Sequence, residues 1–534
     1  MIRLNEVFLT PDEPETLLAE RAARLLRVEP GQISQLALVR RAVDARRGQV
    51  RLSCTVDVRL KQGEDRALRA CAKARRVDAV QEAPLQRGSL PLRGRPVVVG
   101  SGPAGLFAAL ELAQAGYRPL VLERGLPVEL RAQAVEAYFS GAALDPSCNV
   151  QFGEGGAGTF SDGKLTTRIR DPRCARVLAQ LVEAGAPQEI LVQAKPHVGT
   201  DRLQRLLPRL REKIEGLGGQ FRFGACLTAL ERDGAGRLAA LHLADGSRVE
   251  TGAAILALGH SARDTLRHLL EGGLALEPKG YAMGLRIEHG QAWLDRARYG
   301  RWAGHPALGA ADYSLSETVD GLSVYTFCMC PGGVVVNASS EPGGICVNGM
   351  SDHARGGRQC NAAWVCQVPP ERFGGDGPLA GLALQAALEQ AAFRAGGGLP
   401  PAQRLEDFME GRASRGFGDI RPTVRPAAAL SDLNTVLPGW LAARLKAALP
   451  AMDRRLPGFA HPDAVLTAVE ARTSSAVRMV RGEDGQALGA PGVFPAGEGA
   501  GYAGGIMSSA VDGLAAARRL MALYAPAGEE AIWR

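Results

Sequence analysis

Apolar and polar positions alternate along the first ninety residues in a pattern typical of a small α+β domain. The stretch "QVRLSCTVDVRL" alternates at every second position, which predicts a half-buried strand. "EVFL" and "QLALVRRAVDA" predict two further strands, and "PETLLAERAARLLRV" between them predicts a helix. The proline-rich linker "QEAPLQRGSLPLRGRP" follows and predicts a domain boundary near 85–95. We therefore expect a separate domain at 1–90.

From residue 95 onward, buried apolar runs alternate with longer helical segments. "RPVVVGSGPAGLFAALELAQAGYRPLVLERG" predicts a strand, a glycine turn, a helix and a second strand. "GRLAALHLADGSRVETGAAILALGHS" predicts a β-hairpin and then a buried strand that ends at Gly259. "GVFPAGEGAGYAGGIMSSAVDGLAAARRLMALY" predicts a strand, a glycine loop and a long helix. This order predicts an α/β fold with a parallel central sheet, in the segments 95–275, 276–465 and 466–534.

The first glycine turn has the spacing G-x-G-x-x-G at Gly100, Gly102 and Gly105, between a predicted strand and a predicted helix. Gly100 permits the tight turn, Gly102 lets the backbone approach a diphosphate, and Gly105 allows close packing of helix on strand. The helix N-terminus offers N–H groups to phosphates. Glu123 ends the next strand, and its carboxylate would accept ribose hydroxyls and repel a 2′-phosphate. The predicted ligand is therefore ADP-like, as in FAD or NAD.

Two further stretches match the same spacing but lack the strand–turn–helix order. "NVQFGEGGAGTFSDGKLTT", residues 149–167, is predicted to be a backbone clamp on the ligand, with a flexible surface loop as the alternative. The loop at 497–506 follows a strand ending at Glu498 and precedes a helix. We expect that carboxylate to bind a ribityl hydroxyl and the helix N-terminus to face the N1–C2=O edge of a flavin. The alternative is a packing helix with a glycine-rich beginning.

Composition narrows the classes of function. The 534 residues carry a net charge of +7, but the basic residues are scattered among acidic ones, which makes nucleic acid an unlikely partner. No apolar run is long enough to span a bilayer, and the N-terminus lacks a signal pattern. The ten cysteines are dispersed without C-x-x-C or zinc spacing, which favours reduced thiols and no metal site. We expect a cytoplasmic protein with no membrane partner.

The order of the pieces resembles the two-dinucleotide-binding-domain flavoproteins of the glutathione-reductase type. More narrowly, the stretch at 149–167, "YAMGLRIEH", "FCMCPGGVVVNAS", "NGMSDHARGGRQCNAA" and "FPAGEGAGYAGGIMSSAVDG" resemble a bacterial family of uncharacterised FAD-dependent dehydrogenases. The resemblance implies FAD, a Rossmann-like FAD-binding domain of the βββ-crossover type and an inserted α+β substrate domain at 276–465. It also implies a ferredoxin-like domain at 1–90. A second βαβ fingerprint and a dithiol motif beside the flavin segments are both missing from the sequence, which disfavours a dedicated NAD(P)H domain and a disulfide reductase.

The motifs and the resemblance together predict the residues that bind FAD, with NAD(P)H as a candidate transient reductant. The predicted cofactor residues are Gly100, Ser101, Gly102, Pro103, Ala104, Gly105, Glu123, Arg124, Gly155, Gly156, Thr159, Lys164, Leu227, Gly259, Gly497, Glu498, Gly504, Gly505 and Ile506.

Four residues are candidates for catalysis. Lys164 in the glycine clamp is predicted either to contact flavin N5 or a phosphate, or to be a solvated loop lysine. His260 follows the mid-chain strand and His353 lies in a polar loop, and either imidazole is a candidate general acid or base, with packing as the alternative. Arg472 in "EARTSS" is a candidate for binding an anionic substrate, with a structural network as the alternative.

The leading functional hypothesis is an FAD-dependent oxidoreductase that acts on a small-molecule substrate by flavin-mediated hydride transfer. A tRNA-modifying flavoprotein and a non-catalytic FAD-binding redox module are the alternatives. Cys328 and Cys330 in "FCMCPGG" would share one face of a strand, as a redox or metal-binding pair or as two small buried residues.

Overall fold

The computed structural model describes residues 1–77 and 84–526. The predicted segments 1–90 and 466–534 each include residues outside these ranges, and so does part of the predicted linker. Within the described ranges, no helix is both long enough and apolar enough to cross a membrane.

The N-terminal residues form a βαββαβ unit whose strands pair antiparallel in the order β2-β3-β1-β4. Leu18, Ala22 and Leu26 are buried one helical turn apart on α1, so this helix packs one apolar face on the sheet. The three predicted strands and the predicted helix are confirmed. The elements are β1 Ile2–Leu9, α1 Leu18–Leu26, β2 Ile33–Asp44, β3 Arg51–Leu60, α2 Glu64–Ala70 and β4 Ala74–Arg76.

The next segment alternates short parallel strands with helices and contains a three-stranded antiparallel sheet, β10-β9-β8. This sheet stands between β7 and β11 in the chain, and the predicted hairpin is its β9–β10 pair. The elements are β5 Val97–Val99, α3 Pro103–Gln114, β6 Leu120–Leu122, α4 Val128–Phe139, α5 Arg173–Glu183, α6 Thr200–Gly216, β7 Gln220–Arg222, β8 Leu227–Arg232, β9 Leu238–Leu243, β10 Arg248–Glu250, β11 Ala254–Leu256 and α7 Arg263–Glu271.

The remaining chain builds a seven-stranded mixed sheet with the order β14-β15-β18-β13-β21-β19-β20. The elements are β12 Leu276–Pro278, β13 Tyr281–Gly290, α8 Gln291–Tyr299, β14 Ser316–Val319, β15 Leu322–Cys330, β16 Val334–Asn337, β17 Val347–Met350, β18 Gln359–Val368, α9 Ala380–Ala395, β19 Pro401–Arg404, α10 Leu405–Glu410, β20 Ala429–Leu430, α11 Gly439–Arg455, β21 Val465–Glu470, β22 Val477–Met479, β23 Val493–Pro495 and α12 Ile506–Leu523.

The strand β21 crosses the predicted boundary at 465/466. All six of its residues are buried, and it pairs with β13 on one side and β19 on the other. It is therefore an interior strand of the seven-stranded sheet.

The parallel sheet has the order β23-β11-β5-β6-β7, so the C-terminal strand joins strands from the first half of the chain. β5, β11 and β23 are continuous buried runs, as expected for a parallel sheet covered on both faces. A Cβ added at Gly513 of α12 would lie 2.0 Å from the carbonyl oxygen of Ala104, so α12 packs directly on α3. The protein is therefore a mixed α/β structure with a parallel central sheet, as predicted.

Candidate functional site

The loops that follow β5, β11 and β23 meet at the carboxyl edge of the parallel sheet, where α/β folds bind ligands. They line one cavity together with residues of the 149–167 stretch. Of the predicted cofactor residues, those on the cavity wall are Gly100, Gly102, Pro103, Ala104, Glu123, Arg124, Gly156, Leu227, Gly259, Glu498, Gly505 and Ile506. The structure places Ser101, Gly105, Gly155, Thr159, Lys164, Gly497 and Gly504 off this wall.

The turn between β5 and α3 has the geometry that its glycines predict. Gly100 has a φ of 101°, and a Cβ at Gly105 would lie 1.8 Å from the Gly100 carbonyl oxygen. Gly105 is therefore off the wall because it faces the turn, where it allows α3 to approach β5. Gly102 precedes α3, whose first residue is Pro103, and the helix N-terminus opens onto the cavity. Its free N–H groups suit a diphosphate.

Glu123 lines the cavity, but its carboxylate is already fully engaged. Oε2 accepts hydrogen bonds from the Ser101 backbone N at 2.9 Å and Oγ at 2.7 Å. Oε1 accepts from the backbone N of Gly125 at 2.9 Å and of Gly153 at 3.0 Å. Four donors fill the acceptor positions of a carboxylate, so Glu123 joins the loops to one another. A ribose hydroxyl must displace one of them, and the Ser101 hydroxyl is the donor that can rotate away. Ser101 itself is buried behind the wall.

The stretch at 149–167 lies directly against the first glycine turn. Its Gly155 N donates to the Ser101 carbonyl oxygen at 2.9 Å, and a Cβ on Gly156 would lie 3.1 Å from the Gly102 Cα. Gly155 faces inward, since a Cβ there would lie 2.2 Å from Thr159 Oγ1. Thr159 donates to the Glu154 carbonyl oxygen. Gly155 and Thr159 therefore hold the conformation of the loop without lining the cavity. The loop thus shares the cavity with the other two.

Arg131 on α4 organises this loop, and the motifs did not single it out. Its side chain is fully buried, and burial lowers its pKa to about 10. The guanidinium donates to the carbonyl oxygens of Asn149, Val150, Gly153 and Glu154 at 2.6–3.1 Å. The signal available in the sequence was the helical spacing of the apolar residues, because this arginine occupies an inward position of α4 between two buried valines.

Lys164 does not lie on the cavity wall. Its Nζ donates to Asp162 Oδ2 at 2.6 Å and to the Met329 carbonyl oxygen. Arg355 forms two further hydrogen bonds to the Asp162 carboxylate, at 2.9 and 2.6 Å. Burial raises the pKa of Asp162, but Lys164 and Arg355 outweigh burial and bring it to about 2. The lysine is therefore part of an ion-pair cluster, which is neither of its two predicted environments.

Of the two histidine candidates, only His260 reaches the cavity. It lines the wall, and its Nδ1 lies 3.0 Å from Ser261 Oγ. Burial, together with nearby Arg472 and Arg263, lowers the pKa of His260 to about 4. The imidazole is therefore neutral at pH 7, which disfavours it as a general acid. His353 lines a separate cavity.

Arg472 is held in a buried ion-pair triad. Its Nε and Nη2 each lie 2.7 Å from a Glu389 oxygen, and its Nη1 donates to Ser340 Oγ at 2.6 Å. Arg263 pairs with the same carboxylate from the other side, at 2.7 and 2.9 Å. With every guanidinium nitrogen bonded within the protein, Arg472 has the structural role that was the alternative prediction.

Cys328 and Cys330 do not share one face of a regular strand. The pairing of β15 with β18 shifts between Phe327 and Cys330, and Cys328 has a φ of 43°. The Cys328 carbonyl oxygen accepts from Arg286 Nη1 at 2.9 Å. A hydrogen bond from Cys330 and the charges of Arg286 and Lys164 outweigh burial and hold the pKa of the Cys328 thiol well below its usual range.

Glu498 also lines the cavity and accepts a hydrogen bond from the Gly505 N at 3.1 Å. Burial raises its pKa to about 7, although Gly505 and Lys279 oppose this shift. Gly505 precedes α12, whose N-terminus reaches the cavity at Ile506. Gly497 and Gly504 are off the wall and hold the loop, since the Gly497 N donates to Asp512 and the Gly504 N to Ser508.

The raised pKa of Glu498 predicts a pH dependence of stability. The carboxyl titrates near 4.5 when unfolded and near 7 when folded, so its protonated form favours the folded state, and this contribution is lost as pH rises between those values. We expect cofactor-free wild type to lose up to about 3 kcal/mol relative to Glu498→Gln across that window. Urea unfolding of both proteins at several pH values measures the difference, and parallel profiles would contradict it.

The cavity residues fit FAD. The α3 N-terminus offers N–H groups to a diphosphate, a carboxylate and a second helix N-terminus line the same cavity, and glycine backbones form part of its wall. Three family models match the chain: an FAD binding domain at 95–149, an "FAD-dependent protein, C-terminal domain-like" model at 280–473 and a domain of unknown function at 1–59. FAD is therefore the cofactor of this protein.

Solved structures that resemble the chain do so distantly. The L-amino acid deaminase of Proteus vulgaris is 9% identical, with 84% of this chain and 94% of that chain covered, at a TM-score of 0.35. The halogenase PltM in complex with FAD is 12% identical, with 80% and 70% covered, at a TM-score of 0.36.

One relative is much closer in sequence. An uncharacterised protein of Clostridium beijerinckii is 41% identical over 527 residues, which cover 97% of this chain and 98% of the relative. The chain therefore belongs to the same family as this relative, a family of FAD-dependent proteins.

Proposed function

We propose that the protein is an FAD-dependent oxidoreductase that transfers a hydride between a small-molecule substrate and the flavin. The observation that carries the proposal is the composition of the cavity wall, which brings together the α3 N-terminus, Glu498 and the α12 N-terminus. FAD, when bound, supplies the hydride chemistry. The α12 N-terminus would stabilise negative charge at its end of the cavity.

We also propose the finer architecture. The β5–α3–β6 order and the antiparallel sheet of β8, β9 and β10 support a Rossmann-like FAD-binding domain of the βββ-crossover, glutathione-reductase type. The order β2-β3-β1-β4 supports a ferredoxin-like N-terminal domain. The seven-stranded sheet is then the inserted substrate domain. All ten cysteines are free thiols, which supports a reducing, cytoplasmic location.

The proposed function is tested by the flavin spectrum of the purified protein under anaerobic conditions. Among the described residues, one sheet has all of its strands parallel, and we propose that FAD occupies the carboxyl edge of that sheet. NADH or NADPH would then reduce the flavin without a domain of its own. The flavin absorbance is expected to bleach with one of the two nucleotides. Bleaching by neither would point to reduction by the substrate. If no reductant changed the flavin absorbance, the proposed function would be wrong.

Gly102→Glu tests where FAD binds. The added carboxylate would enter the cavity at the α3 N-terminus, where it occupies the diphosphate position and repels the phosphates. We expect the purified variant to contain less than about a tenth of the wild-type flavin, since the loss of one helix-terminal anion site and the added repulsion exceed 1.4 kcal/mol. Absorbance at the flavin band relative to protein measures this.

Gly216→Glu is the matched control for that substitution. Gly216 ends α6 at the surface, and a Cβ there meets nothing within 4 Å. Its flavin content is expected to equal that of wild type. If both variants kept their flavin, the fingerprint turn would not hold the diphosphate.

A further inference from the structure

A second cavity of about 360 Å³ lies between the N-terminal unit and the rest of the chain, and it shares no residue with the FAD cavity. Its wall on one side is the end of β2, from Arg40 to Val43. The two units are joined there by backbone hydrogen bonds, since the Arg41 N donates to the Val192 carbonyl oxygen and the Ala194 N to that of Arg41. The cavity is therefore built by both units and depends on their docking.

The wall of this cavity is strongly basic. Its five permanent cations are opposed by a single carboxylate, Asp312, which is already paired with Lys195. The cations are Arg40, Arg41, Lys195, Arg298 and Arg355. Arg41 pairs with Glu15 and Arg355 with Asp162, both outside the cavity wall. Among the described residues, no acidic group pairs with Arg40 or Arg298. Two exposed arginines of the cavity wall thus carry a charge that no carboxylate of the described residues compensates.

A buried polar atom on the same wall also has no partner. His197 is 9% exposed, lines the cavity and stacks on His353 with 5.1 Å between ring centroids. Its Nε2 lies 3.0 Å from the His353 carbonyl oxygen, which fixes the proton on Nε2. Among the described residues, Nδ1 has no hydrogen-bond partner, and because it carries no proton it accepts only from a donor such as water or a hydroxyl group of an occupant, and not from an anion. Buried polar atoms in native proteins are normally satisfied, by protein, water or ligand.

We propose that this cavity binds a small organic molecule bearing a phosphate or carboxylate group. Its volume matches the lower end of small-molecule sites. Arginine forks bind both oxyanions with two parallel hydrogen bonds, and the forks of Arg40 and Arg298 bond to no group in the part of the chain that the structure describes. Leu52, Leu308 and Ala310 add an apolar wall for the organic body. This site goes beyond the proposed redox function, because it stands apart from the flavin.

A network of ion pairs connects this site to the loop that lines the FAD cavity. Arg355 lines the anion cavity and also holds Asp162, which in turn holds Lys164. Asp162 lies four residues after Gly158, which is on the FAD cavity wall. An anion that drew Arg355 from Asp162 would loosen the loop, so its binding is expected to shift the visible spectrum of bound flavin.

The test is isothermal titration calorimetry of the FAD-loaded protein at low ionic strength, with inorganic phosphate, ribose 5-phosphate and citrate as probes. FAD fills the other anion site in this form. We expect saturable binding of at least one probe. Binding of the two phosphates would indicate a phosphate site, and binding of citrate would indicate a carboxylate site. In Arg40→Gln/Arg298→Gln, the Kd of that probe is expected to rise at least about tenfold, because two charge-assisted contacts are lost.

The matched control is Arg24→Gln/Arg296→Gln. It removes the same charge from exposed arginines on α1 and on α8, the helix that carries Arg298, and neither residue lines the cavity. Its Kd is expected to stay within about twofold of wild type, with equal flavin content in both variants. No saturable binding of any probe, or an equal loss of affinity in both double variants, would overturn the proposal. Neither result would affect the flavin assignment, which the spectrum tests separately.

Discussion

Replacing Arg131 by methionine is expected to lower the free energy of unfolding by about 3–5 kcal/mol and to release FAD. Methionine fills much of the buried volume but donates no hydrogen bond. The carbonyl oxygens of Asn149, Val150, Gly153 and Glu154 would then be left without their guanidinium donor. A Cβ at Gly153 would lie 2.4 Å from Arg131 Cδ, so the loop is moulded around this side chain. Chemical unfolding and flavin content measure the two effects.

Arg205→Met is the control for Arg131. It makes the same chemical change at an exposed position of α6 and is expected to alter stability by no more than about 0.5 kcal/mol. Arg131→Lys adds a sharper comparison, because lysine keeps the charge but cannot reach several carbonyls in a planar fork. We expect Arg131→Lys to restore little of the stability and flavin content that Arg131→Met loses. A fully stable Arg131→Met that retains its flavin would show that the loop holds its shape without the guanidinium.

Glu389→Gln is expected to destabilise the protein by about 3–5 kcal/mol, because it leaves the buried Arg472 without its counter-charge and Arg263 with only the exposed Glu341. Arg263 and Arg472 are 6% exposed, and both pair with this one carboxylate. Burial opposes ionisation of Glu389, but the two arginines bring its pKa to about 2. Its stabilisation is therefore complete above pH 4.5 and is lost as pH falls from there toward 2.

The difference between wild type and Glu389→Gln should accordingly narrow in acid, which urea unfolding at pH 7 and pH 3 would measure. Glu341→Gln is the control, since Glu341 also pairs with Arg263 but is 42% exposed. Exposed pairs contribute about 0–1 kcal/mol, and that variant should be nearly neutral. An equal effect of the two substitutions would mean that the triad is not a buried unit.

The parts of the site that the sequence predicted are those that depend on neighbouring residues. The spacing of Gly100, Gly102 and Gly105 reflects a turn of a few residues, and the structure has the expected left-handed φ and close contact there. The apolar runs before this turn and before Glu498 likewise predicted two strands of the parallel sheet. These features follow from local sterics and from which residues avoid water, so they are legible in short stretches of sequence.

The side-chain environments that the structure decided depend mainly on partners from other parts of the chain. Lys164 was predicted either to contact the flavin or a phosphate or to be solvated, but neighbouring Asp162 and the distant β15 backbone hold it. Arg472 pairs with Glu389 of α9, and Glu123 accepts donors from three loops. The strand β21 crosses the predicted boundary at 465/466, and the structure pairs it with β13 and β19.

The sequence by itself determined that this protein has a dinucleotide-type turn, a parallel sheet, an N-terminal α+β unit and three glycine loops suited to one cofactor. Tertiary structure alone decided which charged and polar groups meet. It buries the guanidinium of Arg131 among four carbonyl oxygens, and it leaves Arg40 and Arg298 without an acidic partner among the described residues. Backbone conformation follows from each residue and its neighbours. The energy of a charge instead depends on its burial and on the distance to its partners, and folding brings these partners together from remote parts of the chain.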